Sequence, residues 1–80
     1  MPGDTGSVAF AKFLDSIIPS MFANESALAD EIGVNRSTVS RWRRGVRRPA
    51  VAHLLRLARA TNTSIEYLTR ITGYEVADER

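Results

Sequence analysis

The chain contains no cysteine, which excludes a disulfide staple and any thiolate metal site. Its one histidine, His53, has no partner ligand at metal spacing. No Ser, His and acid residues fall into a triad pattern, and no glycine-rich loop follows a strand. Neither a cofactor nor an enzymatic activity is expected. No run approaches the roughly 18 apolar residues needed to cross a membrane. Met1-Pro2-Gly3-Asp4 lacks the basic-then-apolar form of a secretory signal, so the expected location is the cytoplasm. The most informative absence is one of charge: between Ile32 and Ile65 there is no acidic residue.

What fills that stretch instead is arginine: Arg36, Arg41, Arg43, Arg44, Arg47, Arg48, Arg56 and Arg59. Met1–Glu31 carries five acids and one lysine (−4), the central stretch +8, and Glu66–Arg80 four acids and two arginines (−2). The formal net charge of +2 is the sum of these three unequal blocks. A basic block of this density is the electrostatic footprint of a surface that meets phosphate. The competing reading of the block is a solvated basic face. Eighty residues, 44% of them hydrophobic, suffice for one folded domain with a single core.

Hydrophobic periodicity predicts short helices throughout and no strand. Ser7 is placed to cap a first helix carrying Phe10, Leu14, Ile17, Ile18 and Met21, which Pro19 should kink or end near Ile18. Asn24 is an N-cap for a second helix whose buried side is Leu28, Ala29 and Ile32, stopped by Gly33. Asn35 caps a third helix running to about Arg44, closed by Gly45. Arg48-Pro49 should open a fourth, with Val51, Leu54, Leu55 and Ala58 inward and His53, Arg56 and Arg59 outward. Thr63 and Glu66 form a capping box for a fifth, which buries Ile65 and Leu68 and ends at Gly73. The expected fold is all-α: a compact bundle of about five short helices. The expected organisation is a flexible N-terminus (1–7), one folded domain (8–73) and a C-terminal tail (74–80).

On a helical wheel advancing about 100° per residue, Arg36, Ser37, Ser40, Arg41 and Arg44 fall within an arc of about 140°. Thr38, Val39 and Trp42 lie opposite. Burying Val39 and Trp42 therefore turns an arginine and serine face outward on a cylinder that fits the major groove. Arg36 and Arg41 can each give two hydrogen bonds to guanine O6 and N7, and Ser37 and Ser40 can read either base type. Arg43, Arg44, Arg47 and Arg48, at the helix end and in the loop beyond, suit phosphates. Asn24 and Ser26 at the start of the second helix, with Asn35 and Thr38 at the start of the third, complete the expected phosphate contacts.

The stretch Ser26–Gly45 resembles the Cro/repressor (XRE-like) helix-turn-helix family. Its pattern is Leu28-Ala29, then Gly33, then aliphatic Val39 and aromatic Trp42. Gly45-Val46-Arg47-Arg48-Pro49 is similar to the loop that follows in that family, and Leu54–Leu68 to its last two helices. The resemblance spans roughly residues 8–73 and implies a lambda-repressor-like fold with Leu28, Ala29, Ile32, Gly33, Val39 and Trp42 as the core of the motif. Two positions depart from it. The family commonly has Gln, in contact with phosphate, where this chain has Glu25, and often Glu where it has Arg43. A carboxylate at position 25 cannot donate a bond to phosphate. The resemblance implies a bacterial or phage regulator that binds double-stranded DNA as a homodimer and excludes or recruits RNA polymerase, repression being the simpler mechanism. Two other readings stand beside it: an antitoxin that masks a toxin and autoregulates its operon, and a sequence-indifferent architectural DNA binder. The tail should be frayed, or should join Tyr67, Ile71, Tyr74 and Val76 in a subunit interface.

Overall fold

The computed structural model describes residues 8–74. The Ser7 cap, the N-terminal segment 1–7 and positions 75–80 of the tail, Val76 among them, lie outside the described residues. Five α-helices follow one another: α1 (Val8–Ile17), α2 (Glu25–Ile32), α3 (Arg36–Arg43), α4 (Val51–Thr61) and α5 (Ile65–Thr72). Among the described residues there is no strand. Helix α3 packs on α2 and α1, α4 packs on α2 and α5, and α5 returns to α1. The helices thus close a ring around one core of Phe10, Leu14, Ile17, Ile18, Leu28, Ala29, Ile32, Val39, Trp42, Leu54, Leu57, Ala58 and Leu68.

Helix α1 ends at Ile17, and Ile18 to Phe22 form the turn that carries the chain to α2. The Ile18–Pro19 peptide in that turn is cis. Met21, expected on the apolar stripe, is exposed because it lies beyond the helix end. Asn24 caps α2, its Oδ1 accepting the Ala27 amide at 2.9 Å. The helix stops at Gly33, whose φ of +88° is the left-handed conformation that a side chain disfavours. Val34 and Asn35 then turn the chain into α3. At the far end of α3, Gly45 adopts φ +76°. Its amide and that of Val46 donate to the carbonyls of Trp42 and Arg41, closing the helix in the Schellman pattern.

Three local expectations are corrected by the structure. Helix α4 begins at Val51 with Ala50 as its N-cap, not at Pro49, which is buried in the preceding loop. Its inward stripe is Leu54, Leu57, Ala58 and Thr61, at the i, i+3, i+4, i+7 spacing of a single helix face. Val51 and Leu55 are instead 48% and 49% exposed, because they form a parallel i, i+4 pair rotated off that face. Helix α5 is capped by Ser64, whose hydroxyl accepts the Glu66 and Tyr67 amides. Thr63 turns inward to bond Thr61, so the capping box does not form. Ile65 is half-buried, whereas Leu68 is fully buried.

The buried hydroxyls are satisfied locally. Thr61 donates to the Leu57 carbonyl at 2.8 Å and Thr72 to that of Leu68 at 2.9 Å, which removes the penalty of an unpaired polar group in the core.

Candidate nucleic-acid interface

Helix α3 is held by its apolar side. Val39 and Trp42 are 0% and 1% exposed, and the Trp42 ring meets Phe10 of α1 edge-on at 6.1 Å. On its other side Trp42 packs against His53 of α4 at 5.8 Å. His53, expected to face outward, is therefore half-buried against the indole. Aromatic contacts of this geometry are favourable beyond the area they bury. With its indole clamped between α1 and α4, α3 has little freedom to rotate about its own axis.

That constraint determines what faces outward. Arg36, Ser37, Arg41 and Arg44 are exposed and Ser40 is half-exposed, as the wheel requires when Val39 and Trp42 are buried. Asn35 stands at the N-cap of α3 but makes no side-chain capping bond. It is exposed, and Thr38 is half-buried beside it in the first turn. Asn24 and Ser26 are exposed at the start of α2. Leu28, Ala29 and Ile32 are buried beneath the turn that joins the two helices.

Beyond α3, the loop to α4 presents a second cationic group. A cleft of about 460 Å³ runs between the C-terminal half of α3 and this loop, lined by Thr38, Arg41, Arg47, Arg48, His53 and Tyr74 among others. Arg48 stacks its guanidinium 4.5 Å above the Tyr74 ring, while the Tyr74 hydroxyl donates to the Pro49 carbonyl at 2.6 Å. Tyr74, which the sequence assigns to the tail, thus ties the end of α5 to the α3–α4 loop. Arg48 keeps its charge on the surface in a fixed position.

The arginines of the basic block divide into two groups. Among the described residues Arg41, Arg44, Arg47, Arg48, Arg56 and Arg59 form no ion pair. Arg36 and Arg43 do, with carboxylates that come from outside the block. Arg36 Nη1 donates to Glu25 Oε1 at 3.3 Å. Arg43 donates through Nε and Nη2 to Asp15 Oδ1 at 2.9 and 2.6 Å, and through Nη1 to Glu25 Oε2 at 3.0 Å. The hydrogen bond to Asp15 raises the pKa of the Arg43 guanidinium above its ordinary value, against the opposing effect of partial burial. The sequence grouped Arg43 with the phosphate-binding arginines and left Asp15 without a role. A signal for the pairing was present in the wheel, which sets Arg43 about 20° behind Arg36 and on the Val39 side of the helix.

Among the described residues no group of His, Asp and Glu could hold a metal ion, and no helix is long and apolar enough to cross a membrane. No curated protein matches the chain. A helix-turn-helix family model matches residues 24–68, more than half of the chain, from the cap of α2 to the core leucine of α5. The match takes in the buried side of α3, its outward arginines and the loop beyond. The chain belongs to the Cro/C1-type (XRE) helix-turn-helix family of transcription regulators, whose domain is a non-enzymatic binder of double-stranded DNA.

Proposed function

We propose that this protein is a sequence-specific, cytoplasmic transcriptional repressor that binds its operator as a two-fold homodimer. Helix α3 enters the major groove, with Arg36 and Arg41 on guanine edges and Ser37 and Ser40 on neighbouring bases. Asn24, Ser26, Asn35, Thr38, Arg44, Arg47 and Arg48 grip the phosphates on either side. Arg43 is left out of this set, because three of its five N–H donors are already bonded to Asp15 and Glu25. Occupying an operator that overlaps a promoter excludes RNA polymerase by steric competition alone, which makes repression the simplest consequence of binding.

One observation carries this reading: the split of α3 into a side locked by Trp42 and an exposed side of arginine and serine. A rigid helix with short and bidentate donors on one side is suited to base edges. A surface meant only for phosphate needs charge without that order. The cleft beside Arg41, Arg47 and Arg48 offers a backbone phosphate three guanidinium groups next to the reading helix.

The deciding experiment is selection from a pool of random duplexes at near-physiological salt, followed by sequencing of the retained DNA. The expected result is an enriched inverted repeat with half-sites about 10 base pairs apart. Retention without enrichment would make the protein an architectural binder. No retention would shift the reading to a protein-interaction module such as an antitoxin, for which co-purification with a toxin is the check.

A further inference from the structure

Two acids from neighbouring helices, Asp15 of α1 and Glu25 of α2, meet arginines of α3. Glu25 stands in the first turn of α2, where the helix dipole favours a negative charge. Its side chain is only 21% exposed and both of its oxygens are used, one by Arg36 and one by Arg43. Arg36 stands in the first turn of α3, where the dipole disfavours a cation and α3 itself supplies no acid. An unanchored arginine at that position would swing among many rotamers, since its side chain is 62% exposed. The bond from Nη1 to Glu25 restricts it while committing one of five N–H donors, so the Nε–Nη2 edge stays open for a bidentate contact.

Arg43 is held the opposite way. Asp15 takes its Nε and Nη2 and Glu25 takes its Nη1, which fills the Nε–Nη2 edge and commits three of the five donors. The four groups Asp15, Glu25, Arg36 and Arg43 sum to zero charge. The same carboxylate, that of Glu25, therefore bonds the first arginine of α3 and the last.

We propose that Glu25, supported by Asp15 through Arg43, is a specificity-determining positioning residue. It gives up sequence-independent phosphate affinity and in return fixes the orientation of Arg36 for base reading. This inference rests on the sequence-reading function proposed above.

The test compares the full chain with its Glu25→Gln and Asp15→Asn variants. Each is titrated over a range of salt against the duplex that the wild type enriches and against a scrambled duplex. Glu25→Gln keeps the size of the side chain and removes its charge. The expected result is tighter binding to the scrambled duplex and a salt slope steeper by about one unit, the contribution of one added phosphate contact. The ratio of specific to scrambled affinity should fall by at least about fivefold, the lower end of what one bidentate base contact supplies. Asp15→Asn loosens Arg43 but leaves the Arg36–Glu25 bond, so it should steepen the slope without relaxing the base preference. Adding Glu25→Gln to Arg36→Ala should change the ratio no further than Arg36→Ala does alone. A merely structural role for Glu25 would lower the melting temperature and leave slope and ratio in place. A selective wild type whose Glu25→Gln variant keeps both would overturn the clamp and spare the proposed function. A wild type with no preference between duplexes would overturn both. Should Glu25→Gln fail to fold, Arg43→Gln in the wild-type background frees Glu25 for Arg36 alone, and a fall in selectivity there would equally overturn the clamp.

Discussion

Replacing Trp42 by alanine tests the premise on which the reading of α3 rests. The indole is 1% exposed and fills the space between Phe10 of α1 and His53 of α4. Removing a buried tryptophan costs about 3–5 kcal/mol, from lost transfer energy and from the cavity left behind. A chain of this length has about 4–12 kcal/mol of stability in total, at roughly 0.05–0.15 kcal/mol per residue. The substitution therefore consumes a large part of the margin, and at about 4–8 °C per kcal/mol for a domain of this size the melting temperature should fall by at least about 12 °C. Helical circular dichroism followed through thermal and urea unfolding reads this directly, without relying on the fluorophore that the substitution removes. Trp42→Phe should lose less, because a phenyl ring can keep an edge contact with Phe10. DNA affinity measured well below the melting temperature should also drop for Trp42→Ala, since α3 would no longer be fixed about its axis. An alanine variant with unchanged midpoints in both unfolding experiments would place the indole outside the core. Trp42 would then not be what turns the arginine side of α3 outward.

Arg41→Ala should cost about 1–3 kcal/mol of specific binding and relax the preference at one base position, whereas Arg47→Ala should weaken binding to all duplexes alike and reduce the salt slope by about one unit. Identical behaviour of the two in a titration against matched and single-mismatch duplexes would remove the division between base readers and phosphate binders. Tyr74→Phe deletes the hydroxyl bonded to the Pro49 carbonyl but keeps the ring under Arg48. It should lower stability by about 1 kcal/mol, and an unshifted urea midpoint would show that this bond does not secure the loop. Gly33→Ala forces a side chain into φ +88° at a cost of about 1–2 kcal/mol. The new methyl would meet only the mobile end of Arg56 at 3.4 Å, so a loss far above that range in differential scanning calorimetry would mean that packing and not backbone conformation is limiting.

The parts of the fold that could be read from the sequence are those encoded over a few residues. Asn24 and Gly33 bracket α2, and Gly45 closes α3, because a capping amide acceptor and a left-handed residue act within one helical turn. The start of α4 needed more than local information. Proline is suited to the first position of a helix, yet here its ring is buried in the loop and its carbonyl holds Tyr74, 25 residues later in the chain. The inward stripe of α4 was ambiguous for a related reason. Val51 and Leu55 have the same i, i+4 spacing as Leu54 and Ala58, and only packing against α2 and α5 decides between the two pairs. His53 stands between exposed Ala52 and buried Leu54, and only the packing of its ring against Trp42 makes it half-buried.

The candidate site divides along the same line. The outward side of α3 follows from periodicity alone, since burying Val39 and Trp42 leaves Arg36, Ser37 and Arg41 nowhere to go but solvent. The electrostatics do not follow from it, because the acids that meet these arginines lie 11 to 28 residues away on other helices. Counting charge along the sequence credits the central block with eight free arginines. Among the described residues Asp15 and Glu25 pair with two of them, and the other six form no ion pair. The two that are neutralised are not the outermost ones. They are Arg36 and Arg43, side by side on the edge of α3 that turns toward α1 and α2. The unpaired Arg41, Arg44 and Arg47 lie on the opposite edge and in the loop beyond. The positive field is thereby shifted toward the C-terminal end of the helix and the Arg47–Arg48 cleft. The N-terminal end is left to present a single guanidinium edge whose direction is constrained.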